Sequence, residues 1–146
     1  MWTLLILKLL ASIFLMFAST MIIDWIFSGS AWARKYYAHA PNIWRPLESG
    51  DPSATERRII RTSLLVTLGF CIAFALYYFV MRPGLMFAHP LSRGLATAIS
   101  LWLIVPLPLI ITQHLYVKYH RATTLLQLTS WLAKLTGASL IMTHLF

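Results

Sequence analysis

Residues 63 to 81 read SLLVTLGFCIAFALYYFVM, a run without a single charged side chain. Wound as a helix it would rise about 28 Å, close to the ~30 Å hydrocarbon core of a bilayer. Three more long, largely apolar runs surround it: Trp2 to Phe27 before it, and Leu95 to Val117 and Thr123 to Phe146 after it. Lipid offers no partners for backbone N–H and C=O groups, so each run must satisfy its own, and a helix does that. The expectation is an all-α, integral membrane four-helix bundle forming a single transmembrane domain over residues 1–146. Its spans fall at about 2–27, 59–81, 95–117 and 123–146, with a short interfacial helix in the first loop.

Composition points the same way. The chain is 59% hydrophobic and 11% charged, with a mean hydropathy of +0.72, more apolar surface than 146 residues can hide in a water-soluble core.

The net charge of +8 raises the question of nucleic acid, and its distribution excludes that partner. Arg34, Lys35, Arg45, Arg57, Arg58, Arg61, Lys118 and Arg121 belong to the first and third connections, while the second holds only Arg82 and Arg93. Basic residues near span ends stay cytoplasmic, so both termini should face outward and loops one and three inward. Membrane lipids, anionic headgroups included, are the expected partners of this basic face.

The first connection, about Ser28 to Thr62, is the only long one. Ser30 is placed to cap a short helix that Pro41 would stop near Ala40, and its Trp32, Tyr36 and Tyr37 beside Arg34 and Lys35 suit the headgroup layer. Ala31-Trp32-Ala33 also has the form of a signal-peptidase site, but the preceding apolar run is too long for a signal peptide and Asp24 interrupts its end. Gly50-Asp51-Pro52 reads as a turn, and Ser53 with Glu56 has capping-box spacing, so the second helix should begin in water near Ala54. Cys71, the single cysteine, reads as a small buried hydrophobe.

The polar locus expected within the membrane centres on Lys134. Gln127, Ser130, Lys134, Gly137 and His144 recur at helical spacing and form one polar, small-residue stripe. At a similar depth, Pro106 and Pro108 deprive the carbonyls of Trp102 and Ile104 of their usual donors. Three of the four carboxylates, Glu48, Asp51 and Glu56, belong to the loop, and Asp24 reads as lying near the inner boundary. Those two carbonyls are therefore the expected acceptors for Lys134, unless the amine is held neutral. Asp24 itself is expected to pair with Arg45, Arg34 or His114.

No metal-ligand, nucleophile-elbow or phosphate-loop spacing appears, so neither metal nor cofactor is expected, and no catalytic residues. The run Asp24-Trp25-Ile26-Phe27, Gly29, and then Ile43-Trp44-Arg45-Pro46, resembles small bacterial four-helix membrane proteins of unknown function that share a D-W-x-F-x-G start and a later W-R-P. The resemblance implies an inner (cytoplasmic) membrane location and marks Asp24, Trp25, Gly29, Trp44, Arg45 and Pro46 as an inner-side loop motif. It implies no reaction.

Two functions lead, ahead of a membrane enzyme and of cofactor or metal carriage. One is a non-catalytic membrane protein, free-standing or an accessory subunit of a larger complex, with a membrane-protein partner or a second copy of itself. The other is a small oligomeric carrier or channel that passes an anion or a proton through the Lys134 and proline region.

Overall fold

The computed structural model describes residues 2–37, 52–84, 89–116 and 121–146. Every element among them is helical: α1 (Trp2–Asp24), a π-helical turn (Trp25–Gly29), α2 (Ala31–Tyr37), α3 (Pro52–Met81), a 3-10 turn (Arg82–Gly84), α4 (Pro90–Ile104), α5 (Pro106–Tyr116) and α6 (Arg121–Leu145). His39, Trp44, Arg45, Pro46, the turn at Gly50-Asp51, Lys118 and His120 lie outside the described residues. So do the side chains of Arg34, Ser53 and Glu56, and with them the expected capping box.

Three helical rods are long and apolar enough to cross a bilayer: Trp2–Ala33, Ile60–Gly84 and Pro90–Leu115. Among the described residues α6, which covers the expected span over 123–146, is not one of these three, since it carries a larger share of polar side chains. Five of its nine buried residues, Thr123, Thr124, Ser130, Ser139 and Thr143, carry hydroxyls. What lets so polar a helix sit in this fold is its position. It packs against α1, α2, α3, α4 and α5, so the other rods cover it. They in turn expose leucine, isoleucine, valine and phenylalanine, among them Leu7, Phe14, Leu65, Val80, Ile104 and Leu115.

Directions follow from the contacts. Phe79 near the end of α3 meets Phe146 edge-on at 5.8 Å between centroids, so α3 runs parallel to α6. Gly94 at the start of α4 sits on Leu140 and Thr143 near the end of α6, and His114 at the end of α5 bonds Thr124 at its start, so that rod is antiparallel. The described ends of the chain, Trp2 and Phe146, line one groove and therefore share an end of the bundle.

Two glycines set the closest approaches. A Cβ on Gly94 would lie 2.9 Å from Leu140 Cδ2 and 3.2 Å from Thr143 Oγ1, and one on Gly137 would lie 3.0 Å from Ser19 Oγ. α6 is thus gripped by α4 on one side and by α1 on the other, the geometry small residues permit between helices. Beneath these contacts Met16, Cys71, Phe74, Ala75, Tyr78, Ala98, Leu135, Ala138 and Met142 form the buried core.

The proline segment bends its rod as expected. Val105 takes φ −113° and ψ −69°, yet its N–H still reaches the Leu101 carbonyl at 3.0 Å and Leu109 N–H reaches the Val105 carbonyl at 3.4 Å. The helical ladder is kinked rather than severed. α4 begins at Pro90, earlier than hydropathy suggests, because His89 caps it by accepting from the Leu91 N–H at 3.2 Å and Pro90 suits a first helical position.

Candidate functional site

α1 buries Ser12, Met16 and Thr20, a spacing of four that continues to Asp24. That stripe faces the bundle, and at its end the Asp24 carboxylate forms an ion pair with the Lys134 ammonium. The two side chains keep only 32% and 13% of their exposure. Lys134 Nζ also lies 5.0 Å from the Trp131 ring centroid, within range of a cation–π attraction.

This pairing corrects two expectations. Lys134 is held by Asp24, not by the carbonyls of Trp102 and Ile104, and Asp24 turns to Lys134 rather than to His114, while Arg45 and the side chain of Arg34 lie outside the described residues. His114 instead shares a 2.9 Å hydrogen bond with Thr124. The physical reason is an axial offset. Counting depth from helix ends assumes that all rods begin in one plane, but Gly137 rests on Ser19 and Ile23, so α6 starts about 20 Å beyond the level of Asp24. Lys134 is deep in its own helix and still level with the end of α1.

Around the pair lies a cavity of about 300 Å³, lined by Thr20, Asp24 and Ser28, by Ser63, Val66, Thr67 and Phe70 of α3, and by Trp131 and Lys134 of α6. Four hydroxyls thus surround one cation and one anion. Thr20 and Thr67 are buried, Ser28 and Ser63 exposed toward the mouth.

A second space, about 280 Å³ and almost wholly apolar, opens between α3 and the kinked rod. Phe70, Ala73, Phe74 and Tyr77 form one wall, Leu101, Val105 and Pro106 the other, and Trp131 and Leu135 the floor. Phe70 and Trp131 belong to both spaces. Their rings meet edge-on at 5.8 Å and form the partition. The Trp102 indole donates to the Leu128 carbonyl at 2.9 Å and pins the kinked rod to α6 beside this crevice.

Of the sequence-predicted locus, then, Lys134 lines the polar cavity and Pro106, buried, walls the apolar crevice. Pro108 is exposed, Ser130 is buried on α6, and Gln127 is half-buried. The stripe does not continue to His144, which is exposed and bonds the Leu140 carbonyl of its own helix at 2.8 Å.

The motif from Asp24 to Gly29 forms the π turn. A Cβ on Gly29 would come within 3.0 Å of Trp25 Cδ1, so the glycine gives the indole room to lie across the turn. Ser30 then takes an extended ψ of 152°, accepts from the Ala33 N–H at 3.2 Å and donates to the Ile26 carbonyl at 2.6 Å. It caps α2 as its sequence position suggests. α2 packs on α6 and the π turn, with Ala33 fully buried.

Sequence reasoning missed Thr20, Ser28, Ser63, Thr67, Phe70 and Trp131. A signal existed for the hydroxyls: Thr20, Asp24 and Ser28, like Ser63 and Thr67, recur every four residues on otherwise apolar helices. Comparison with family models, with curated proteins and with solved structures returns no match.

Proposed function

We propose that this chain is a multi-pass integral membrane protein without catalytic activity, serving as an accessory or structural subunit of a larger membrane complex. The observation that carries the reading is the inversion of polarity: a hydroxyl-rich α6 with its lysine paired inside, and rods that turn leucine and phenylalanine outward. Such an exterior suits lipid, and an internally neutralised ion pair suits a scaffold. Along α3, Arg61 and Arg82 stand about 31 Å apart, a spacing that matches the hydrocarbon thickness. A partner is favoured by Gly69, whose missing Cβ would meet nothing within 4 Å. A glycine on an apolar outward face is the kind of residue by which membrane helices approach one another.

In this reading the membrane is the bacterial cytoplasmic one, the termini are outside, and the basic connections are inside. Alkaline carbonate should leave the chain in the membrane fraction. A cysteine placed at Ser53, in a Cys71→Ala background, should resist an impermeant thiol reagent in intact cells, while one appended after Phe146 should react. The reverse labelling pattern would overturn the orientation.

Native purification in mild detergent tests the subunit role. A stoichiometric membrane protein should accompany the chain. An isolated oligomer that conducts an anion or proton in proteoliposomes would instead support a carrier, the second reading, which the cavity around Asp24 and Lys134 favours.

A further inference from the structure

The polar cavity and the apolar crevice follow one another along α3. Ser63 and Thr67 line the first, Ala73, Phe74 and Tyr77 the second, with Phe70 shared between them. Ser63 is adjacent in sequence to the turn that holds Arg61, which marks one hydrocarbon boundary in the reading above. From that boundary inward the lining therefore passes from charged and hydroxylic to aliphatic and aromatic, crossing the bilayer centre at about residue 71 of α3. That is the order of a lipid that enters from this face, headgroup first and chain after.

Headgroup chemistry follows from the pair. The ion pair engages one Asp24 oxygen, whereas a carboxylate can accept several hydrogen bonds and an ammonium can donate three. An anionic headgroup would meet Lys134 but be opposed by Asp24 beside it. A purely cationic one would meet the converse. A headgroup that carries both charges complements both residues, its phosphate toward Lys134 and the neighbouring hydroxyls, its ammonium toward Asp24. A primary ammonium is favoured over a quaternary one because it can donate to the carboxylate. One narrow crevice, about 10 Å long between Phe70 and Tyr77 on α3, accommodates one chain.

We propose that the junction of these two spaces binds a single-chain zwitterionic phospholipid with a primary ammonium, the lysophosphatidylethanolamine class, its phosphate and ammonium across the Lys134–Asp24 pair and its acyl chain against Trp131 in the crevice. The proposal rests on the membrane reading but not on the subunit role.

The test uses the full chain in nonionic detergent and a lysophosphatidylethanolamine brominated on its chain, which quenches nearby tryptophan emission. Saturable quenching is expected, and Trp131→Phe should cut it to the share carried by Trp102 beside the crevice. Binding should weaken about tenfold for lysophosphatidylglycerol of the same chain, and by a similar factor in the double variant Asp24→Asn/Lys134→Met, the loss of one charge-assisted hydrogen bond. The double variant leaves no unpaired charge, and its fold is checked by helical circular dichroism. Ala73→Phe, which fills the crevice from an exposed position without touching the ion pair, should abolish the saturable component. Equal affinity for the two headgroups, or saturable quenching undiminished in Trp131→Phe, overturns the site. Non-saturable quenching in a chain that resists carbonate sinks this proposal alone, whereas a chain that carbonate removes sinks the membrane reading and the proposal with it.

Discussion

Lys134→Met should lower the unfolding free energy in detergent by about 3 kcal/mol, and adding Asp24→Asn should restore most of it. The single change leaves a carboxylate two-thirds covered and without its ammonium, while nearby Thr20 and Thr67 hydroxyls offer only partial compensation. Removing both charges takes away attraction and desolvation cost together, so the double variant should fall well short of the sum of the two singles. The figure lies at the low end of the range for buried pairs because the Asp24 side chain retains 32% exposure. Replacing Pro106 and Pro108 with leucine should not rescue Lys134→Met, since the lysine serves a carboxylate rather than the carbonyls that the prolines free. Thermal or denaturant unfolding of the parent chain, the two singles, the double and the proline-replaced variant decides the matter. Additive single and double effects, or rescue by the proline replacements, would return Lys134 to the carbonyls.

Gly94→Leu is expected to loosen α4 from α6 at a cost of about 1–3 kcal/mol, the range for overpacking a filled interface. A Cβ there would press on Leu140 Cδ2 at 2.9 Å, a flexible side-chain end that can move aside. It also lies 3.5 Å from Leu140 Cα, which cannot. Gly94→Ala should therefore be the milder change, and leucine, with its branched end, should force the helices apart. Trp102 gives a local readout, because its indole bond to the Leu128 carbonyl spans the same helix pair and its emission should shift as that contact opens. Gly69→Leu is the matched control. The same atoms are added where nothing lies within 4 Å, and a better helix former replaces glycine, so stability of the isolated chain should hold or rise. Equal losses at the two glycines would show that glycine itself, not the close approach, matters at position 94.

Several features were legible residue by residue. The charge-free run over 63–81 lies within α3, Val105 to Pro108 marks the kink, Ser30 caps α2, and Cys71 is fully buried. All of these depend on local properties: side-chain polarity, the missing proline donor, a hydroxyl at a helix start. Asp24 and Lys134 each stood out as charges in apolar surroundings, but their union did not. They are separated by most of the chain, and whether they meet depends on how far α6 is displaced along α1, which no run of residues encodes locally.

What the sequence by itself determined is the set of elements and their solvent preferences, since helix length, apolar content and proline position act within one segment. Tertiary structure alone decided which helix is central. α6 buries five hydroxyl side chains, and Gly94 and Gly137 let α4 and α1 close over it. The same packing slid Lys134 level with Asp24 and left Phe70 and Trp131 as the wall between a polar and an apolar space. Register between helices is set by the fit of side chains from different segments, and that fit exists only once the segments are together.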